Sequence, residues 1–239
     1  MIKCNLENIR KKIENAIEKS NGKTEKVDLV VVTKNRNLAE IKEVLRAGNL
    51  FLGENRIQEW KEKFDALREE AIEWHIIGHL QKNKVKYLAG KVSLIHSLDR
   101  YDLAQEINRR MEKLGSQQNC LIQVNVSGEK SKFGMKPEEA KDFVAKCQKL
   151  NFIKICGMMT IAPLSLENED ARPVFRNAFK LYSELKNECF PEGEFDYLSM
   201  GMSDDFEIAI QEGANLVRIG SAVFENNKGG IIDYDGKNT

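Results

Sequence analysis

The sequence has few of the residues that stabilise secreted or metal-dependent proteins. It contains five cysteines and three histidines among 239 residues, and no two cysteines form a C-x-x-C pair. An odd number of widely spaced cysteines argues against a disulfide framework and against a structural zinc site. The cysteines are therefore expected to be reduced thiols in a cytosolic protein.

Long apolar segments and net charge are also lacking. No hydrophobic run approaches the roughly 20 residues that a membrane-spanning helix needs, and residues 1–5 lead into a charged helix rather than a signal peptide. Lys plus Arg and Asp plus Glu both total 37, so the formal net charge is zero. Such a chain has no long-range field to attract nucleic acid. The composition predicts a cytoplasmic protein with no membrane or nucleic-acid partner.

Two histidines, His75 and His79, are spaced as metal ligands on one helical face would be. However, Gly78 and the apolar residues before it predict a strand followed by a loop, and no acidic partner stands at ligand spacing. No metal site is expected here.

Residues 27–34 form a β-branched run that ends on Lys34. A continuous apolar run bounded by charge is typical of a buried parallel strand. Lys34 would then lie at the carboxyl end of the strand, where parallel α/β folds place their chemistry. An amine beside apolar walls is more easily neutral, and a neutral amine can form a Schiff base. The alternative is a solvated lysine that merely ends a strand.

The strand–helix pattern then repeats along the chain. Asn37 is expected to cap a helix with Glu40 at its third position, and Asp99 and Pro137 are expected to open two later helices. An amphipathic helix before the first strand is expected to cover one mouth of the fold. The predicted strands span residues 27–34, 50–53, 72–77, 92–96, 120–126, 153–159, 197–200 and 216–219.

Eight strands alternating with helices predict an α/β fold, a single (β/α)8 barrel of the TIM type with an extra N-terminal helix. Residues 1–239 are expected to form one domain, because no linker or low-complexity segment interrupts them. An open doubly wound sheet is the alternative. It is disfavoured because no G-x-G-x-x-G fingerprint follows the first strand.

The ends of the last two strands indicate a phosphate site. Barrels commonly bind phosphate with the loops after strands seven and eight, and here residues 199–205 and 218–222 contain glycines and the hydroxyls of Ser203 and Ser221. Plain turns that cap helices are the alternative. In the loop after the fifth strand, Lys130 and Lys132 are expected to direct positive charge toward the strand ends, unless they are only solvated loop lysines.

Arg218 lies within an apolar strand, where an unpaired guanidinium would carry a large desolvation penalty. Its partner is either a barrel carboxylate or a group on a bound cofactor. Lys34, the phosphate loops and Arg218 together fit pyridoxal 5′-phosphate, since the aldehyde, the phosphate and the pyridine nitrogen would each have a partner.

At this point the sequence resembles the pyridoxal-phosphate homeostasis protein family over nearly its whole length. The resemblance is carried by residues 32–34 (VTK), 51–59 (FLGENRIQE), 74–84 (WHIIGHLQKNK), 131–134 (SKFG), 199–203 (SMGMS) and 217–220 (VRIG). It implies the barrel of the alanine racemase N-terminal domain, with pyridoxal phosphate carried on Lys34 as a Schiff base.

The resemblance also implies the remaining contacts. Asn55 would flank the cofactor and Arg218 would face its ring nitrogen, while Lys132 would be a second lysine that handles cofactor. The phosphate would be held by the segment around Met202, Ser203, Gly220 and Ser221.

The family function that follows is that of a cofactor carrier and buffer. Such a protein maintains vitamin B6 and amino- and keto-acid balance, has no established turnover, and is expected to be a monomer or weak dimer. The resemblance implies pyridoxal-phosphate-dependent apoenzymes as recipients. A small racemase or decarboxylase is the alternative, disfavoured because Lys34 supplies only one acid–base group, and an interaction-only barrel is a third reading.

Two segments differ from the family pattern. Residues 35–37 replace a usual threonine-lysine-proline, and residues 225–227 replace a glycine-containing end. Both differences concern loop shape at the rim rather than an assigned contact.

Overall fold

In a computed structural model, which describes residues 1–129, 131–163, 168–190 and 194–225, eight parallel strands close into a barrel in sequence order. The strands are β1 (Asp28–Val32), β2 (Phe51–Glu54), β3 (Glu73–Ile76), β4 (Leu94–Leu98), β5 (Gln118–Gln123), β6 (Ile153–Met159), β7 (Tyr197–Ser199) and β8 (Leu216–Ile219). The barrel closes where β1 pairs with β8, with Val31 opposite Ile219. The predicted (β/α)8 barrel is confirmed, and the alternative open sheet is wrong.

Helices alternate with the strands on the outside of the barrel. They are α1 (Ile2–Glu18), α2 (Leu38–Arg46), α3 (Ile57–Ala66), α4 (Val85–Leu88), α5 (Tyr101–Glu112), α6 (Ala140–Cys147), α7 (Arg172–Cys189), α8 (Phe206–Gln211) and α9 (Ser221–Phe224). Short 3-10 segments span Lys82–Lys84, Pro137–Glu139 and Asn168–Ala171. Within the described ranges, no helix combines the length and apolarity needed to cross a bilayer.

The local signals for helix starts had mixed outcomes. Asn37 and Glu40 form the expected capping box at the start of α2. The expectation for Asp99 is wrong, because Arg100 occupies the N-cap of α5 and makes no side-chain cap. The Asp99 carboxylate instead accepts a hydrogen bond from Arg100 at 2.8 Å.

The helix α1 packs on the outer wall of the barrel rather than across a mouth, so the expected position is wrong. It contacts α8, α9 and α2, and its buried apolar residues belong to the core between strands and helices. The reason lies in α9, which has only four residues. With so short a helix after β8, α1 covers the outer surface beside the closing strands.

The barrel interior has an apolar layer and a polar layer. The apolar layer consists of Val30, Leu94, Leu121, Cys156, Met159 and Leu216. In β4 and β8, period-two alternation places His96 and Arg218 on the same inward face, two residues after Leu94 and Leu216. This polar layer therefore lies closer to the carboxyl ends of the strands.

Candidate functional site

Lys34 lies in a tight turn just beyond the carboxyl end of β1. The Arg36 N–H donates to the Thr33 carbonyl at 3.0 Å, and Asn35 has a φ of 59°. A positive φ at the third position is typical of a type II turn, which places Lys34 at the second position. The Lys34 side chain is exposed, so the expectation that apolar walls enclose it is wrong. Among the described residues, it has no hydrogen-bond or ion-pair partner, which leaves the amine accessible.

A buried ionic network that was not predicted from the sequence lies beneath this turn. The Lys63 ammonium donates to Glu54 and Glu59 at 2.7 Å each and to the Thr33 carbonyl at 2.6 Å. The Thr33 hydroxyl donates to the same Glu54 oxygen at 2.5 Å. On the other side of Lys34, the Asn35 backbone N–H donates to Glu59. The network thus binds the backbone on both sides of Lys34.

The two carboxylates of this network have different electrostatics. Glu54 is fully buried, and burial raises its pKa despite the opposing hydrogen bonds from Lys63 and Thr33. For Glu59, burial also acts upward, but the hydrogen bonds from Lys63 and the Asn35 backbone outweigh it and lower the pKa. Glu59 is therefore held as a charged acceptor at neutral pH.

The loops after β7 and β8 meet beside the end of β1. The Ala222 N–H donates to the Ser203 hydroxyl oxygen at 3.4 Å, so the two predicted phosphate loops are in contact. A Cβ on Gly220 would lie 3.3 Å from both Cβ and the carbonyl oxygen of Val32. A side chain at position 220 would therefore crowd β1, two residues before Lys34.

Two further residues predicted to bind phosphate, Ser221 and Met202, lie in the same two loops. Ser221 is exposed at the start of α9. The Met202 N–H donates to the Asp205 carboxylate at 2.5 Å, so it is already satisfied within its own loop. Burial raises the pKa of Asp205, which that backbone hydrogen bond and the charge of Arg218 oppose.

Arg218 has polar partners in the barrel, and neither hydrogen-bond acceptor is a carboxylate. Its Nη1 donates to the Ser199 hydroxyl at 2.6 Å and its Nη2 to the Thr160 carbonyl at 3.0 Å. His96 Nδ1 lies 3.1 Å from the same hydroxyl, and His96 Nε2 lies 3.0 Å from Nδ1 of His75. A hydrogen-bond chain therefore runs across the barrel interior from β8 to β3.

Burial determines the charges in this chain. It lowers the pKa of Arg218 to about 10, while the charge of Asp205 opposes that shift, so the guanidinium remains charged at neutral pH. Burial lowers the pKa of His75 to about 4 and that of His96 well below its ordinary value. Both imidazoles are therefore neutral.

Neutral imidazoles give the chain a direction. The Ser199 hydroxyl oxygen accepts a hydrogen bond from Arg218. Among the described residues, Nδ1 of His96 is the acceptor within reach of the Ser199 hydroxyl proton, so Ser199 donates to His96. His96 then carries its own proton on Nε2 and donates it to His75.

The other predicted residues lie along the rim. Asn55 directly follows β2. A Cβ at position 78 would lie 2.3 Å from the Asn55 carbonyl oxygen, so position 78 requires glycine. Lys132 is held by an ion pair with Glu129 at 2.9 Å and by the Ala162 carbonyl, so its ammonium is already paired. Lys130, Asn226 and Asn227 lie outside the described residues.

The histidines of the 75–79 segment have separate surroundings. His75 is buried in the interior chain, whereas His79 stacks on Phe133 with ring centroids 4.2 Å apart and faces Asp99 at 3.5 Å. Among the described residues, no group of three or more His, Cys, Asp or Glu side chains is arranged to hold a metal ion.

The donor set at this edge of the barrel suits an aldehyde that also carries a phosphate. The free amine of Lys34 lies at the end of β1, and the Ser203–Ala222 contact lies beyond the end of the adjacent β8. The absence of a side chain at Gly220 lets the loop after β8 approach Val32 of β1 closely. Arg218 supplies a charged donor from the barrel interior. These residues fit pyridoxal phosphate.

Comparison with known proteins supports the barrel fold and shows which proteins this chain is similar to. The family model for the alanine racemase N-terminal domain matches residues 4–227. A pyridoxal phosphate homeostasis protein of Aquifex aeolicus is 44% identical over 223 residues, covering 93% of this chain and 97% of the relative. The protein of the same name from Escherichia coli K12 is 34% identical over 236 residues, covering 98% and 97%. These relatives are named as homeostasis proteins rather than as enzymes.

Solved structures give the same result. PipY of Synechococcus elongatus with pyridoxal phosphate bound has a TM-score of 0.81 and 30% identity, covering 94% of this chain and all of that chain. An alanine racemase of Clostridium difficile shares the fold alone, with a TM-score of 0.69 and 15% identity over 90% of this chain and 59% of that one. The chain therefore belongs to the alanine racemase N-terminal domain family and, within it, to the pyridoxal phosphate homeostasis proteins.

Proposed function

We propose that this protein binds pyridoxal 5′-phosphate and carries or buffers it, so that vitamin B6 and amino- and keto-acid levels are maintained. The observation that carries the proposal is the accessible Lys34 amine beside the contact between the β7 and β8 loops. The names of the relatives and the PipY structure with bound cofactor support it.

Each candidate residue has a role in this proposal. When bound, the cofactor would supply an aldehyde, and the Lys34 amine would hold it as a Schiff base with release of one water. Ser203, Gly220 and Ser221, with the Met202 segment, bind the phosphate through hydroxyl and backbone donors. Arg218 would hold the ring nitrogen through a guanidinium donor, and Asn55 would lie beside the ring. For Lys132 we propose only a secondary role, because its ammonium is already paired.

The proposal is a non-enzymatic one. Moving a proton on both faces of a substrate carbon needs two positioned acid–base groups, and Lys34 supplies one. A guanidinium facing the ring nitrogen cannot accept a proton and disfavours protonation of the ring, which weakens its capacity to stabilise a carbanion. Sustained racemisation or decarboxylation of an amino acid by purified protein would instead support the enzyme alternative.

The same proposal includes the compartment, the oligomeric state and the recipients of the cofactor. The five cysteines include the exposed Cys4 and are all free thiols, which suits the reducing cytoplasm. We infer a single domain, acting as a monomer or weak dimer, with pyridoxal-phosphate-dependent apoenzymes as recipients.

Replacement of Lys34 tests the proposal directly. Wild-type protein incubated with pyridoxal phosphate and reduced with borohydride should gain the cofactor mass on the peptide that contains Lys34. Lys34→Ala should lose the corresponding absorption band and keep its thermal melt, because the side chain is exposed and has no hydrogen-bond or ion-pair partner among the described residues.

Lys42→Ala serves as the control, since Lys42 is also exposed but lies on α2. It should bind and trap the cofactor as the wild type does. A Lys34→Ala protein that retained the wild-type band would exclude Lys34 as the attachment site.

A further inference from the structure

The turn that presents Lys34 is bound on both sides by side chains from the next strand–helix unit. Before Lys34, the Thr33 carbonyl accepts from Lys63 at 2.6 Å and the Thr33 hydroxyl donates to Glu54 at 2.5 Å. After Lys34, the Asn35 N–H donates to Glu59. These contacts bind the two peptide units that flank the amine-bearing residue.

Lys63 is the centre of the network that makes these contacts. Its side chain is 7% exposed and its ammonium bridges the two carboxylates, with Glu54 fully buried and Glu59 21% exposed. A buried charge that lost one of these partners would be left uncompensated. The network therefore has one favourable arrangement, and that arrangement fixes the backbone of the turn.

Glu54 retains an unused acceptor. One carboxylate oxygen accepts from both Lys63 and Thr33, while the other, Oε2, is buried and has no hydrogen-bond partner among the described residues. A buried carboxylate oxygen without a donor is costly. The carboxylate is nevertheless needed at this position, because its other oxygen is the shared acceptor of the buried Lys63 ammonium and the Thr33 hydroxyl.

We propose that Glu54, Glu59 and Lys63 are positioning residues that set how fast Lys34 captures pyridoxal phosphate. The inference rests on the proposed function, because it concerns the same lysine. In the capture step the Lys34 amine would attack the aldehyde carbon, a carbon–nitrogen double bond would form, and the aldehyde oxygen would leave as water with the two amine hydrogens. The positioning residues take no part in that bond exchange. They hold the turn so that the amine meets the aldehyde while the phosphate is bound to the neighbouring loops.

Glu59 offers the sharpest test, because it lies at the edge of the network. Glu59→Ala removes the acceptor for the Asn35 N–H, whereas Glu59→Gln removes the charge and keeps an acceptor oxygen. Glu62→Ala is the matched control, since Glu62 is exposed on the same helix. Thermal melts of all three variants establish that they are folded.

Two measurements follow on each variant. The first is hydrogen exchange of the Asn35 amide without cofactor, which we expect to be about tenfold faster in Glu59→Ala. The second is the rate constant, at saturating pyridoxal phosphate, for borohydride-trapped mass on the Lys34 peptide, which we expect to fall about tenfold. Glu59→Gln should lie close to the wild type in both, and Glu62→Ala should match it.

The results separate this inference from the proposed function. If Glu59→Ala traps cofactor at the wild-type rate, or if Glu59→Ala and Glu59→Gln are slowed equally, the positioning role is overturned. If the wild type itself gains no mass on Lys34, the proposed function fails. The Asn35 exchange rates would still show whether Glu59 holds the turn.

Discussion

Ser199 is the residue that connects the buried guanidinium of Arg218 to two neutral imidazoles. Its hydroxyl accepts from Arg218 at 2.6 Å and lies 3.1 Å from His96 Nδ1, and the residue is fully buried. Hydrogen bonds that involve a charged group are worth about 1.5–3 kcal/mol, and a buried group left unpaired costs a comparable amount. Ser199 is thus placed to fix the orientation of Arg218.

Ser199→Ala should lower the free energy of unfolding by about 1–3 kcal/mol, because Nη1 of Arg218 and Nδ1 of His96 both lose their partner. Urea unfolding at pH 7 measures the change. Ser183→Ala is the control, since within the described part of the chain that hydroxyl donates only to the Phe179 carbonyl on its own helix. Equal stabilities of Ser199→Ala and the wild type would show that the chain does not hold the guanidinium.

At this scale the sequence predicts single residues better than networks. Lys34 and Arg218 are recognisable because a lone charge stands next to or inside an apolar run. The partners of Lys63 could not be found in that way, since Thr33 is 30 residues away. One signal was available: Lys63 falls between Trp60 and Leu67 at helical spacing, so its position faces the core.

At the scale of elements, the end of α8 is bound to two other parts of the fold by one carboxylate. Glu212 pairs with Lys23 before β1 at 2.7 Å, and with Arg172 and Arg176 of α7 at 3.1 and 3.2 Å. Burial acts to raise its pKa, but the hydrogen bonds from Lys23, Arg176 and Arg172 outweigh burial and lower the pKa to about 2.

This carboxylate should make stability fall in acid. Because the folded pKa lies below the unfolded value of 4.5, the contribution is present above about pH 4.5 and is lost as the pH falls toward 2. At pH 7, Glu212→Gln should lower the free energy of unfolding by about 1–3 kcal/mol. This is less than the full pKa shift would give, because Lys23, Arg172 and Arg176 are partly exposed and solvent screens their charges.

The same substitution should have a smaller effect at pH 3, and urea unfolding at both pH values measures the difference. Glu188→Gln is the control, because its pair with Lys141 is exposed on both sides and should change the free energy of unfolding little at either pH. An effect of Glu212→Gln that was equal at pH 7 and pH 3 would contradict the role of its charge.

Strands were easier to predict than the ends of helices. The strand β6 spans the predicted residues 153–159, because a continuous apolar run in a parallel sheet has few other solutions. The start of α5 was predicted wrongly because Asp99 has competing partners in space. Arg100 and His79 approach its carboxylate, and neither contact follows from local propensity.

For the whole molecule, the position of α1 depends on how the chain completes the barrel. The periodicity of α1 shows an apolar face but not the surface that the face covers. That surface is set by the length of the helix after β8, and α9 has only one turn. The barrel was therefore predictable from the alternation of strands and helices, whereas the location of the extra helix was not.

A side chain of α1 also connects the start of the chain to its last helix. The Asn5 amide donates to the Val223 and Glu225 carbonyls at 3.0 Å each, across more than 200 residues of sequence. These carbonyls end the helix that begins at Ser221, one of the proposed phosphate ligands. Asn5 therefore connects α1 on the outer wall to α9, the helix that begins in the proposed phosphate loop after β8.

Asn5→Ala should lower the free energy of unfolding by about 1–3 kcal/mol, because the Val223 and Glu225 carbonyls both lose a donor. It should also speed release of pyridoxal phosphate, since α9 is less firmly held beside Ser203. A urea titration and the transfer of cofactor to an excess apoenzyme measure the two effects. Asn8→Ala is the control, because Asn8 lies one turn further along α1 and is exposed. If Asn5→Ala unfolds at a lower urea concentration but releases cofactor at the wild-type rate, α1 stabilises the barrel without affecting the phosphate loop.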